Sequence, residues 1–238
     1  MHRIHLQLAR RPLQLAITAT AGLGLCLGLL TTPSGASAAS QKAAAKKTLL
    51  GLADVPKGWS REKGSVSGQS GYPGQSSLTT CIGDTSSLIT SATPPEVDSP
   101  FFQNKAQSQE IQDSVTIFPS NATARAEYSA ISNAKTPGCE ALSFNGPYKS
   151  QLEASAGKGT TVGTITVSTQ GPGYFGPHTS SYTMNIPISS QGTTLLTYIT
   201  SVYFIRGDFG QQLTLNSYGA KPDLSLLKHL TAVAIHRL

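Results

Sequence analysis

Cysteine is scarce in this sequence: there are three in 238 residues, and none forms a Cys-x-x-Cys pair. That excludes a zinc ribbon and a thioredoxin-type dithiol. Charge is scarce too. Asp, Glu, Lys and Arg supply 13% of the chain, which is not the composition of a highly charged disordered chain. A serine-hydrolase elbow is missing: Gly68-Gln69-Ser70-Gly71-Tyr72 comes near Gly-x-Ser-x-Gly and fails at its last position. The acids number only 12, and none falls into the paired-carboxylate cleft pattern that glycoside hydrolysis needs. Beyond Leu30 no apolar run is long enough to span a bilayer.

What is present begins with a leader. His2, Arg3, Arg10 and Arg11 make a positive start, Leu13 to Leu30 an apolar stretch, and Ala36-Ser37-Ala38 a small-residue cleavage site. Together they predict an export signal over residues 1–38. Gly22, Gly24 and Gly28 interrupt the apolar stretch and Pro33 ends it, so cleavage is favoured over retention as an anchor. Arg10-Arg11 raises twin-arginine export, although Pro12-Leu13-Gln14 continues that pattern poorly. Cys26 follows Leu25, a residue too bulky for lipoprotein processing, and is read as lost with the leader. The expected product is secreted and extracellular, with association to the cell envelope left open. It is not an integral membrane protein after cleavage.

The remaining 200 residues suffice for one domain with a real core. They hold 15 basic side chains against 12 acidic ones. So small a surplus, with no basic stripe, gives no electrostatic case for nucleic acid. The densest basic region is Lys42, Lys46, Lys47, Lys57, Arg61 and Lys63; it reads as a solvated arm, with contact to an anionic envelope as the alternative. Residues 39–47 are Ala/Lys-rich and expected to be a linker, ahead of a domain over 48–238.

Within that domain a short element covers Leu49 to Ala53, and Pro56 and Gly58 enforce a turn before Trp59. Residues 108–118 alternate as a strand, with Ile111, Val115 and Ile117 on one face and Gln112, Ser114 and Thr116 on the other. Ser120 is the N-cap of a helix reaching about Ser132. Gly163, Ile165 and Val167 then alternate, and Tyr182, Met184, Ile186 and Ile188 make an inward row in which Pro187 indicates an edge position. Residues 194–205 and 209–215 form strands joined by a turn at Gly207-Asp208, with Phe209, Gln211, Leu213 and Leu215 sharing a face. Pro222-Asp223 opens a last helix that aligns Leu227, Leu230, Ala234 and Leu238. Helices around an antiparallel meander predict an α+β domain whose sheet has about five or six strands.

Few residues carry candidate chemistry. Cys81 and Cys139, 58 positions apart, are expected to form one structural disulfide in an oxidising compartment, because no histidine stands at metal-ligand spacing to either. No cofactor or metal is called for. His229 and His236 lie seven apart on the last helix, too far to chelate one ion. His178 follows a Gly/Pro-rich loop that displays Tyr174 and Phe175, and Trp59 follows another such turn. These four are the candidate ligand contacts, since loops carry binding residues; the structural alternative tucks their rings onto the core. Arg206-Gly207-Asp208 matches an adhesion tripeptide but is explained by the hairpin tip.

Several segments resemble the extracellular sensor domain of PknH-type receptor kinases, a fold also used by free-standing secreted proteins and lipoproteins of actinobacteria. They are Leu49-Leu50 before Asp54-Val55-Pro56-Lys57-Gly58-Trp59, Val115-Thr116-Ile117-Phe118-Pro119-Ser120 with Ala124 and Tyr128, Cys139 after the helix, the hairpin Val202–Leu215, and a closing helix. The resemblance covers most of residues 48–237. It implies a helix-flanked antiparallel sheet with a cleft for a small extracellular ligand. The departures are the lack of a kinase domain and one cysteine pair where those sensors have two. PsbP/Mog1-like secreted proteins are the competing resemblance. The reading that follows is a non-enzymatic binding or sensor-like domain of the bacterial envelope, whose partner is a small envelope ligand or an envelope protein. An envelope hydrolase with an unlisted site and a structural interaction protein are the rivals.

Overall fold

The computed structural model describes residues 38–62, 80–83 and 94–238. Residues 1–37, which hold nearly all of the expected export signal, and residues 63–79 and 84–93 lie outside them. The fold is α+β. Nine strands form one antiparallel sheet: β1 (Ser60–Arg61), β2 (Glu96–Asp98), β3 (Phe102–Asn104), β4 (Gln109–Ile117), β5 (Thr160–Val162), β6 (Thr166–Thr169), β7 (Thr179–Ser190), β8 (Thr193–Arg206) and β9 (Phe209–Tyr218). The order is β1-β3-β4-β9-β8-β7-β5, with β2 also on β4 and β6 also on β7. The count exceeds five or six because five strands are only two to four residues long; fragments so short carry no periodic signal.

Among the described residues, and besides the helical residues 80–82, five α-helices cover the sheet: α1 (Ala38–Thr48), α2 (Asn121–Ile131), α3 (Thr136–Ser143), α4 (Lys149–Ala156) and α5 (Leu224–Arg237). A π-helical segment, Phe144–Tyr148, joins α3 to α4. The front face of the sheet is apolar. Ile111, Val202, Phe204, Leu213 and Leu215 meet Leu227, Leu230 and Ala234 of α5, together with Leu50 and Val55. On the rear face Phe144, Tyr148 and Leu152 pack on Val162, Met184, Ile186 and Ile199.

Local chemistry sets the boundaries. Ser120 Oγ accepts from Thr123 N at 3.1 Å and starts α2, and Asp223 Oδ1 accepts from Leu226 N at 2.9 Å to start α5. Residues 39–47 are not a linker. They lie within α1, whose Ala45 is fully buried against Val97, Val115 and Ile117. Alanine and lysine favour helix strongly, but one small buried side chain leaves almost no amphipathic trace.

Pro187 is likewise not at an edge. β7 pairs with β8 along its whole length and with β5 and β6 on its other side. Pro187 faces the gap between those two short strands, where its carbonyl accepts from Gly163 N at 2.8 Å. A Cβ on Gly163 would stand 3.1 Å from that of Pro187, so any larger residue there would press on the proline ring. Asn145 bridges the same gap: its Nδ2 donates to Ile165 O at 2.7 Å and its Oδ1 accepts from Ile165 N at 2.8 Å. Asn145→Ala would strand both backbone groups of a buried residue and is expected to cost roughly 1–3 kcal/mol, read as a lower urea midpoint.

Candidate functional site

The rear face near β4 and β9 is polar although it is inside the protein. Register places Gln112, Thr214, Ser201 and Tyr182 in one row across β4, β9, β8 and β7, and Ser114, Gln212, Tyr203 and Ser180 in the next. Gln112, Ser114, Thr116, Ser201, Gln212, Thr214 and Asn216 are all buried. Strands whose outer face meets water alternate in the same way, so periodicity alone does not show that this side is covered.

Helices lower two carboxyls onto that side. In α2, Ala124, Glu127 and Ala130 form the buried stripe. In α3 the buried positions are Thr136, Cys139, Glu140 and Ser143, while Leu142 points outward with 73% of its surface exposed. This helix is inverted: its polar stripe faces in and its leucine faces out. Thr136 Oγ1 anchors it by donating to Ala130 O at 2.8 Å. The Cys81–Cys139 disulfide, with Cα atoms 5.6 Å apart, ties it to the helical residues 80–82.

Within the polar seam Gln212 Nε2 donates to Ser201 Oγ at 3.1 Å and to Thr214 Oγ1 at 3.3 Å, and those two hydroxyls lie 3.2 Å apart. Tyr203 is hydrogen-bonded to Thr116; burial first, then the charge of Glu127, pushes its phenol well up. Burial pushes Glu140 up to about 8 against the opposing effect of a hydrogen bond with Tyr182, so this acid is largely protonated at neutral pH. Several atoms find no partner among the described residues: Gln112 Nε2, Gln212 Oε1, Asn216 Oδ1 and Glu140 Oε2. Each buried unpaired group costs about 1–3 kcal/mol, so the seam is a place where stability has been given up.

The four loop candidates are divided. Trp59 and Phe175 are buried in the same front-face cluster. Tyr174 stays 39% exposed, edge-on to Phe175 at 4.9 Å and with Lys228 Nζ 5.0 Å from its ring centre. His178 is exposed, with φ of +56°. His229 and His236 are exposed as well. His229 helps lower the Asp54 carboxyl, although the Arg237 guanidinium does most of that. Among the described residues no three His, Cys, Asp or Glu groups could hold a metal.

Sequence reasoning missed Asp113, which sits among the apolar front-face residues. It is wholly buried and accepts from Leu50 N at 2.8 Å and from Gln211 Nε2 at 2.8 and 2.9 Å. Burial pushes it up to about 7. Gln211 within an otherwise apolar row was the available signal.

No protein-family model matches this chain, and no curated protein does. Among solved structures, the extracellular domain of PknH from Mycobacterium tuberculosis is similar at 11% identity with a TM-score of 0.31, over 68% of this chain and 89% of that one. No family is established for this chain by that likeness.

Proposed function

We propose that this chain is an exported, non-catalytic binding domain of the bacterial envelope, whose buried polar seam recognises an uncharged ligand rich in hydroxyl groups. The unpaired seam atoms carry the reading. A donor on Gln112 and acceptors on Gln212 and Asn216, backed by Ser201 and Thr214, offer alternating hydrogen-bond partners without a fixed charge. A domain selected only for stability would fill that space with apolar side chains. The disulfide fits an oxidising compartment, and no helix among the described residues is long and apolar enough to cross a membrane. Tyr174 and His178 remain the surface candidates for a lip.

The test is a thermal-shift panel of neutral oligosaccharides, peptides and lipids on wild type and Gln212→Leu. A neutral glycan at about a hundred times its Kd should add about 2.7 kcal/mol to wild type. Gln212→Leu should lose that shift without losing basal stability. A panel that moves nothing, or a shift that survives Gln212→Leu, overturns the reading. An envelope hydrolase is favoured by one observation alone, the buried Glu140 carboxyl beside the seam, which burial pushes up to about 8. Glycan turnover that disappears in Glu140→Gln would establish it.

A further inference from the structure

On the other side of the sheet, away from the seam, a groove of about 470 Å³ runs between α1, Phe209 and the end of α5. That volume is within the range of small-molecule sites. The groove exists because α1 presents Ala43 and Ala44 along it, too short to reach Phe209 and Leu238 opposite. Ser40 lines the same helix face near one end and Lys47 near the other, a span of about 11 Å at 1.5 Å per residue.

Its charge is one-sided. α1 contains Lys42, Lys46 and Lys47 and no acid. Lys47 lines the groove and makes no ion pair among the described residues, whereas Arg237, beside it, is engaged by both Asp54 oxygens at 2.6 and 2.7 Å. Toward the other end, Gln41 of the same helix donates from Nε2 to Asp208 Oδ2 at 3.2 Å. The groove is therefore apolar along its length, cationic at the Lys47 end and closer to an acid at the other.

We infer that this groove takes a free, single-chain anionic amphiphile: its acyl chain lies along Ala43, Ala44 and Phe209, and its carboxylate or phosphate head meets Lys47. The site is separate from the polar seam, so either assignment can fail without the other. The experiment measures decanoate binding by calorimetry, with decyl maltoside as the same chain under an uncharged head. Decanoate should bind at least tenfold more tightly than the maltoside. Lys47→Gln should bring the two to the same level, and Ala44→Phe, at an exposed position, should abolish both with an unchanged unfolding midpoint. Equal binding of the two probes, no decanoate binding below millimolar, or binding unaffected by Ala44→Phe would overturn the proposal. Vesicles of phosphatidylglycerol form the last arm. If they retain the protein equally with and without Ala44→Phe while decanoate does not bind, the partner is a membrane surface and the groove assignment fails.

Discussion

Raising the pH from about 5 to about 9 is expected to weaken this fold by roughly 4 kcal/mol or more. Three carboxyls prefer the proton when folded: Asp98 at about 6, through burial and then the charge of Glu96, Asp113 at about 7 and Glu140 at about 8. A carboxyl whose folded pKa lies above its unfolded value contributes most below that unfolded value, near pH 4. The contribution is lost as pH rises through the folded pKa. Asp113 alone moves from 3.8 to about 7, a difference of about three pH units or roughly 4 kcal/mol. Asp54, held down chiefly by its hydrogen bond with Arg237, acts in the opposite sense, and its share disappears only in acid. Urea unfolding followed through Trp59, the sole tryptophan and a buried one, reads the effect directly. Asp113→Asn copies the protonated acid: its carbonyl can accept from Leu50 N, and its amide can donate to Gln211 Oε1, which has no partner among the described residues. That variant should exceed wild type in stability above about pH 8 and show a shallower profile. Stability that climbs between pH 5 and 8, or a variant as steep as wild type, would refute the role of Asp113.

The second large effect comes from the disulfide. Closing a 58-residue separation restricts the unfolded chain by roughly 4 kcal/mol in the loop-entropy account. Replacing both Cys81 and Cys139 by serine, or reducing the bond, should lower the unfolding free energy by about that amount. Because Cys139 immediately precedes Glu140 on the inverted helix, the loss should also loosen α3 over the seam. Neutral-glycan binding should then weaken more than unfolding of the rest of the domain would explain. Alkylation and mass analysis of secreted protein should find both thiols oxidised; free thiols, or an unchanged midpoint in the double variant, would contradict the assignment.

How much of this could be read from the residues depended on whether polarity and burial agreed. They agree in β4, where Ile111, Val115 and Ile117 share the buried front face. They agree at Ser120 and Asp223, whose side chains cap helices, and in the hairpin that turns at residues 207–208 and pairs Arg206 with Phe209. They disagree in α1, which docks through a single alanine, and in α3, where Glu140 is inside and Leu142 outside. They disagree again across the rear of β4, β8 and β9, where glutamine, serine and threonine look like a wetted face and are buried. Periodicity reports which side chains share a face; it does not report whether something lies over that face. The seam was therefore hidden. The candidate loops were visible because Gly and Pro announce turns, yet two of their rings, Trp59 and Phe175, serve the core.

The central strand β4 takes its partner β9 from about a hundred residues later in the chain, Gln109 pairing with Ser217 and Ile117 with Phe209, whereas β7, β8 and β9 are joined to one another by tight hairpins. Long-range pairing must overcome loop-closure entropy before it is rewarded. A polypeptide emerging amino end first therefore has only the short strands β2 and β3 to place beside β4 until the last quarter arrives. The ribosome would hold an incomplete sheet through most of synthesis, and the last 30 residues of the sequence, from residue 209 onward, close the structure.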